Sequence, residues 1–158
     1  MSVEKVREYL APYGRAGEVL EFDSSSATVE LAAQALGVEG ARIAKTLSFA
    51  APEGCILLVA AGDARVDNGA FKRFFGFKAR MLPAEEVEEK TGYAVGGVCP
   101  FANPEGTAVY LDESLRRFET VFPACGSSNS AIRLSCEDLY ELSHARQWVD
   151  LCKGWRPE

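Results

Sequence analysis

Ile43-Ala44-Lys45-Thr46-Leu47-Ser48-Phe49, the turn Ala51-Pro52-Glu53-Gly54 and the run Cys55-Ile56-Leu57-Leu58-Val59-Ala60-Ala61 decide the architecture. The last run is apolar throughout, strand-sized and bounded by a Pro/Gly turn, which predicts a buried strand. With the strand before it, the segment reads as a β-hairpin. Upstream, Val3, Val6 and Leu10 recur at helical spacing, predicting a helix over residues 2–11 ended by Pro12 and Gly14. The cluster Ser24-Ser25-Ser26 offers an N-cap to a second helix, Thr28 to Leu36, stopped by Gly37.

Downstream of the hairpin, Asp67 is placed to cap a short helix carrying Phe71, Phe74 and Phe75, closed by Gly76. Residues 77–82 read as a short strand. Pro83 suits the first position of an acidic helix, with Glu85 and Glu86 at its positive end and Gly92 after it. Residues 96–104 hold two glycines and two prolines and must be a loop. Strands are expected at 106–111, 119–125 and 130–134, the last after the turn Gly126-Ser127-Ser128-Asn129. Ser135 then caps a helix carrying Leu139 and Leu142. Hairpins alternate with helices, so the expected fold class is α+β with a mixed sheet rather than a doubly wound one, in a single domain over residues 1–158.

Composition narrows the function classes. The chain has 158 residues, 47% hydrophobic and 25% charged, an ordinary globular balance. No segment approaches the roughly 20 apolar residues that span a bilayer, and Met1-Ser2-Val3-Glu4-Lys5 lacks the apolar core of a signal peptide, so a cytoplasmic location is expected. The net charge of −6 argues against coating long stretches of nucleic acid. It leaves room for a local grip, because residues 65–80 hold Arg65, Lys72, Arg73, Lys78 and Arg80 against Asp67 alone. The plain reading of such a run is a solvated helix face. Cys55, Cys99, Cys125, Cys136 and Cys152 form no C-x-x-C pair and no Cys/His cluster, so reduced thiols are expected and no metal site.

The catalytic inventory is defined by what it omits. His144 is the sole histidine, and no G-x-S-x-G elbow, H-E-x-x-H, Walker A or G-x-G-x-x-G motif occurs. An enzyme built from this chain works through positioned backbone groups and a lysine. Lys45 interrupts an apolar strand, on the side of Ile43 and Leu47, where an amine needs a route to water or an anionic partner. Ala94-Val95-Gly96-Gly97-Val98-Cys99-Pro100-Phe101 pairs two glycines that let backbone N–H groups approach a ligand, with Pro100 stiffening the exit. A solvent-facing lysine and a plain turn are the bland alternatives.

With these residues in place the chain resembles the YbaK/prolyl-tRNA-synthetase-associated editing family over nearly its whole length. The matching pieces, in order, are Thr28-Val29-Glu30-Leu31-Ala32-Ala33 with Leu36-Gly37-Val38, Ile43 to Leu47, Ala61-Gly62-Asp63-Ala64-Arg65-Val66-Asp67, Thr91 to Phe101, Ala124-Cys125-Gly126-Ser127, Leu134-Ser135 and Asp138-Leu139. The resemblance implies an α+β domain with a curved, partly barrel-like mixed sheet flanked by helices. It implies deacylation of mischarged tRNA carrying a small amino acid, with no cofactor or metal, on the acceptor end of the tRNA and in some cases beside an aminoacyl-tRNA synthetase. Lys45 maps to the family's lysine, expected near the phosphate and ribose of the terminal adenosine. Gly96 and Gly97 map to the backbone-donor loop. Val98, Cys99, Pro100, Phe101, Phe22 and the turn Gly126, Ser127, Ser128, Asn129 are expected to bind substrate.

The Gly126–Asn129 turn and the GGVCPF loop differ from the versions common in members acting on cysteinyl-tRNA, so alanine, cysteine and serine stay open as the amino acid removed. A non-catalytic module that holds an aminoacyl or nucleotide ligand, or docks a synthetase, is the competing reading. A thiol hydrolase using Cys99 and His144 is a third, with no base in sequence reach of the thiol.

Overall fold

Seven register pairs, from Ala44–Ala61 to Ala50–Cys55, join β2 (Ile43–Ala50) to β3 (Cys55–Ala61) as the antiparallel hairpin the sequence predicts. Gly54 makes the turn at φ +71, and a Cβ there would lie 2.0 Å from the Gly106 carbonyl oxygen, so the position admits only glycine. The computed structural model describes residues 2–23, 25 and 28–156. β3 is buried along its entire length because it lies at the centre of the sheet, with neighbours on both edges.

The remaining described elements, in chain order, are α1 (Ser2–Leu10), β1 (Leu20–Glu21), α2 (Val29–Leu36), β4 (Arg65–Val66), α3 (Asn68–Phe75), α4 (Ala84–Thr91), β5 (Thr107–Asp112), β6 (Thr120–Pro123), β7 (Ser130–Ala131), β8 (Leu134–Ser135), α5 (Cys136–Leu142), β9 (Trp148–Val149) and β10 (Cys152–Lys153). The main sheet runs β8-β6-β2-β3-β5-β9 and curls into a half-barrel. β2–β6, β3–β5 and β5–β9 are parallel; β2–β3 and β6–β8 are antiparallel. The pairs β1–β7 and β4–β10 stand apart from it. The expected α+β mixed sheet in one domain is the observed architecture.

The helix ends follow local chemistry. Asp67 accepts from the Ala70 N–H and Ser135 from the Asp138 N–H, while Gly37, Gly76 and Gly92 close their helices in the left-handed region. Five local expectations need correction. The cap of α2 is Thr28, whose side chain accepts from the Leu31 N–H; Ser24 and Ser26 of the serine cluster lie outside the described residues. Pro83 precedes α4 as its cap residue. The strand expected at 77–82 shrinks to a single bridge, Phe49–Met81, because only residues 80–82 reach the free edge of β2 before Pro83 turns the chain. The strand expected at 130–134 divides, β7 pairing with β1 and β8 with β6, and the one at 119–125 ends at Pro123, leaving Cys125 in the following turn.

β2 separates two apolar clusters. Ala44 and Phe49 belong to the main core, while Ile43 packs with Phe122 and Ala32 in a small cluster beneath α2. A strand with a thin core on one side leaves space there, and the candidate site occupies it.

Candidate active site

A cavity of about 240 Å³ opens between α2, the first half of β2 and the two glycine-containing loops. Lys45 and Thr46 of β2 form one wall, Gly96 and Val98 another. Val29 and Ala32 of α2 roof it, and Phe122, Ser130 and Ala131 close the far side.

Lys45 is half-buried. Its amine donates to the carbonyl of Ala64 and, at 3.4 Å, to that of Gly62. Burial lowers its pKa from the ordinary lysine value, against the pull of Cys152 and Asp63. Two carbonyls orient the amine and leave its third N–H for a ligand. The turn presenting them is itself fixed. Arg117 grips Asp63 with two contacts of 2.5 and 3.0 Å, and a Cβ on Gly62 would meet the Gly40 carbonyl oxygen at 2.1 Å. The Thr46 hydroxyl oxygen is buried without a partner among the described residues. A lone buried hydroxyl is costly, and such an exception beside a cavity calls for an explanation.

Across the cavity, Gly96 adopts φ +92 and the Gly97 N–H closes the turn on the Ala94 carbonyl at 3.0 Å. The N–H groups of Gly96 and Val98 make no hydrogen bond among the described residues. Gly97 touches the second loop backbone to backbone, since a Cβ on it would lie 2.9 Å from both the Gly126 carbonyl oxygen and the Ser127 Cα. Gly126, at φ +92, packs in turn on Tyr93 and α1. Side chains stiffen both loops. Asn103 Nδ2 donates to the carbonyls of Thr91 and Cys99 at 2.9 and 3.0 Å, and the Tyr93 hydroxyl donates to the Phe101 carbonyl. Ser127 Oγ sits 2.8 Å from Asn129 Oδ1 and from Ser130 Oγ, while Asn129 and Phe22 exchange two hydrogen bonds of 2.8 and 2.9 Å.

Of the residues singled out in the sequence, the cavity therefore gathers Lys45, Gly96 and Val98 on its walls, with Gly97, Gly126, Ser127, Asn129 and Phe22 in the frame behind. Ser128 lies in the same turn. Cys99 and Phe101 are fully buried in the main core and Pro100 is buried facing Tyr9 and His144, away from the cavity. Burial pushes the Cys99 thiol up to about 12, and the thiol points at the Phe101 carbonyl, 4.0 Å away. His144 is exposed and hydrogen-bonds Tyr13 at 3.2 Å. The imidazole's partner is Tyr13 and the thiol's is the Phe101 carbonyl, and burial disfavours the thiolate. Sequence reasoning missed Thr46, Ser130 and the α2 roof. A threonine beside the lysine was the sole local signal; the roof arrives through tertiary packing.

The fold and cavity by themselves define a class: a small half-barrel whose pocket sets one amine against unpaired main-chain donors. The profile of the aminoacyl-tRNA editing domain matches residues 23–142, and the chain belongs to that family. Its chemistry is that of an aminoacyl-tRNA deacylase. The chain is 53% identical to the uncharacterized protein YwhH of Bacillus subtilis, over 98% of its own length and 99% of that protein's. It is 26% identical to EbsC of Enterococcus faecalis, a candidate Cys-tRNA(Pro)/Cys-tRNA(Cys) deacylase, over 92% and 88% of the two chains. A solved structure of a candidate trans-editing enzyme for prolyl tRNA synthetase superposes with a TM-score of 0.87 at 35% identity, covering 97% of this chain and 98% of the other. Among the described residues no helix is long and apolar enough to cross a membrane.

Proposed function

We propose that this protein is a trans-editing hydrolase that removes a small amino acid, of the alanine, cysteine or serine class, from the 3′ end of a mischarged tRNA in the cytoplasm. The observation that carries the reading is the cavity of about 240 Å³ with the Lys45 amine on one wall and the unpartnered N–H groups of Gly96 and Val98 on another. Lys45 anchors the phosphate and ribose of the terminal adenosine, which holds the ester against the loop. Negative charge builds on the carbonyl oxygen as water attacks, and the loop amides offset it; losing one such donor typically costs on the order of 10²–10³ in rate. Gly97 serves by letting the loop close on Gly126. The other substrate contacts come from Phe22, Val98 and the Gly126–Asn129 turn, with Cys99, Pro100 and Phe101 bracing the loop from the core. The nucleophile is a water activated by the substrate's own ribose hydroxyl. The names of the relatives support both the reaction and a link to prolyl-tRNA synthetase as a partner.

The test is a deacylation screen with tRNAs carrying alanine, cysteine, serine and proline, run with wild type and Lys45→Ala. Release of at least one small amino acid is expected, slowed on the order of 100-fold in the variant. Turnover of none overturns the reading in favour of a non-catalytic binding module. Equal turnover by the variant removes Lys45 from the mechanism. A terminal 2′- or 3′-deoxyadenosine substrate reacting at the normal rate removes the ribose hydroxyl.

A further inference from the structure

The basic run over residues 65–80 does not stay together in three dimensions. Arg80 and Lys78 lie at the far end of β2, where the Ala50 N–H bonds the Arg80 carbonyl. Arg65 goes the other way. It follows Ala64, whose carbonyl holds the Lys45 amine, and it faces Lys153 directly across the β4–β10 pair. Like charges opposite one another in a ladder repel. Arg73 of α3 joins them: its guanidinium and the Asp67 carboxylate both lie against Gly69, 3.2 and 3.4 Å from where a Cβ would stand, and the Asp67 N–H bonds the Leu151 carbonyl just before β10. Arg65, Arg73 and Lys153 are all exposed and, among the described residues, none makes an ion pair. Acids are present nearby but engaged elsewhere: Asp67 caps α3, Asp63 is held by Arg117 and Asp150 by Arg156. The Arg65 guanidinium lies against Gly154, where a Cβ would come within 3.2 Å of it. A chain with 23 acidic and 17 basic side chains thus keeps three cations out of any ion pair among the described residues, with Arg65 within electrostatic reach of the amine of its cavity.

We propose that Arg65, Lys153 and Arg73 form a phosphate-binding ledge for the duplex part of the substrate's acceptor end, continuing outward from Lys45. This rests on the deacylase reading and deepens it: the cavity takes the acylated adenosine, and the ledge takes backbone phosphates behind it. Such contacts position without reading sequence, which suits an enzyme whose chemistry is confined to the last nucleotide.

The test compares Arg65→Glu/Lys153→Glu with Lys78→Glu/Arg80→Glu, two variants with the same change in net charge at opposite ends of β2. Each is used as the full chain with its near-UV spectrum and melting temperature checked, and Arg65→Gln/Lys153→Gln is the milder companion should the first not fold. Two substrates are used, an aminoacylated tRNA that wild type hydrolyses and the same amino acid on a CCA trinucleotide, together with anisotropy titration of the uncharged tRNA over a range of salt. The ledge variant is expected to bind tRNA at least about 10-fold more weakly, with its log–log salt slope reduced by about 0.9 for each phosphate it no longer neutralises. Its trinucleotide hydrolysis stays at the wild-type rate. Unchanged tRNA affinity, an equal loss in Lys78→Glu/Arg80→Glu, or a parallel fall in trinucleotide hydrolysis each overturns the ledge. Wild-type failure on both substrates overturns the deacylase reading itself, and the ledge with it.

Discussion

Thr46 is the residue at which stability and function pull apart. Thr46 lines the cavity and its hydroxyl oxygen is buried with no partner among the described residues, so Thr46→Val is expected to raise the melting temperature by roughly 2–4 °C, the equivalent of about 1 kcal/mol. The same variant should bind or turn over substrate less well, as measured by KM. A lower melting temperature would mean that the hydroxyl is satisfied in the resting protein. Asp63 makes the opposite kind of contribution. Its carboxyl is held below the usual carboxylate range, first by the hydrogen bond from Arg117 and then by that charge. A depressed folded value stabilises above the unfolded value of about 3.9 and is lost as pH falls through the folded one. Asp63→Asn is therefore expected to melt below wild type at pH 6–7, by no more than about 1 kcal/mol for so exposed a pair, with the gap closing below about pH 4. A gap that persists in acid would assign the loss to geometry rather than charge. Lys45 was legible in the sequence because a lone amine in an apolar strand has to be explained. The carbonyls that hold it and the Asp63–Arg117 clamp behind them were not, since Asp63 and Arg117 are brought together by tertiary structure alone.

Elements long enough to carry a period were readable; those that exist only by pairing were not. The hairpin β2–β3 and the helices α2, α3 and α5 follow from apolar runs, from the capping Asp67 and Ser135 of the last two, and from a terminal glycine where one is present. β1, β4, β9 and β10 are two residues each, too short for alternation to register, and their place is set by partners distant in sequence. The site depends on both kinds. The loop carrying Gly96 and Val98 is positioned by Gly97 meeting Gly126, and neither loop is regular structure. Gly97→Ala tests that contact. A methyl group 2.9 Å from a carbonyl oxygen and a Cα of the facing loop must push the two apart, with an expected cost of about 1–3 kcal/mol in stability. Loss of deacylation should exceed the loss of folded protein, because the loop amides move with the backbone. Gly17→Ala, with nothing within 4 Å of the added atom, serves as the control and should leave both unchanged. Equal activity per folded molecule in Gly97→Ala would separate the two loops functionally.

At the scale of the molecule, the question is whether the half-barrel and its attached pieces open as one unit. The cysteines report on it. Cys55 is in the central strand β3, Cys99 and Cys125 are in the two site loops, and Cys152 is in β10; all four are buried, while Cys136 is intermediate. Burial raises every one of these thiols above the usual value, Cys99 to about 12, so labelling by a thiol reagent at neutral pH requires an opening that brings the sulfur to water. β10 pairs only with β4, through two residues near the end of the described chain, and should fray most easily. Cys99 and Cys125 are held by the loop–loop contact, by Asn103 and by the Tyr93–Phe101 bond. Cys55 begins β3 and is paired on both edges, with Ala50 and with Thr107, so its exposure is expected to require the opening of the central sheet. The expected order of native-state labelling among the four is Cys152 first, then Cys99 and Cys125 together, then Cys55 at the rate set by the denaturant-derived stability. Substrate-site ligands that draw the two loops together should slow Cys99 and Cys125 and leave Cys55 alone. Cys99 labelling ahead of Cys125 would instead mean that the loops open independently, and a cavity assembled from two independently mobile walls would not hold its amides in place between turnovers.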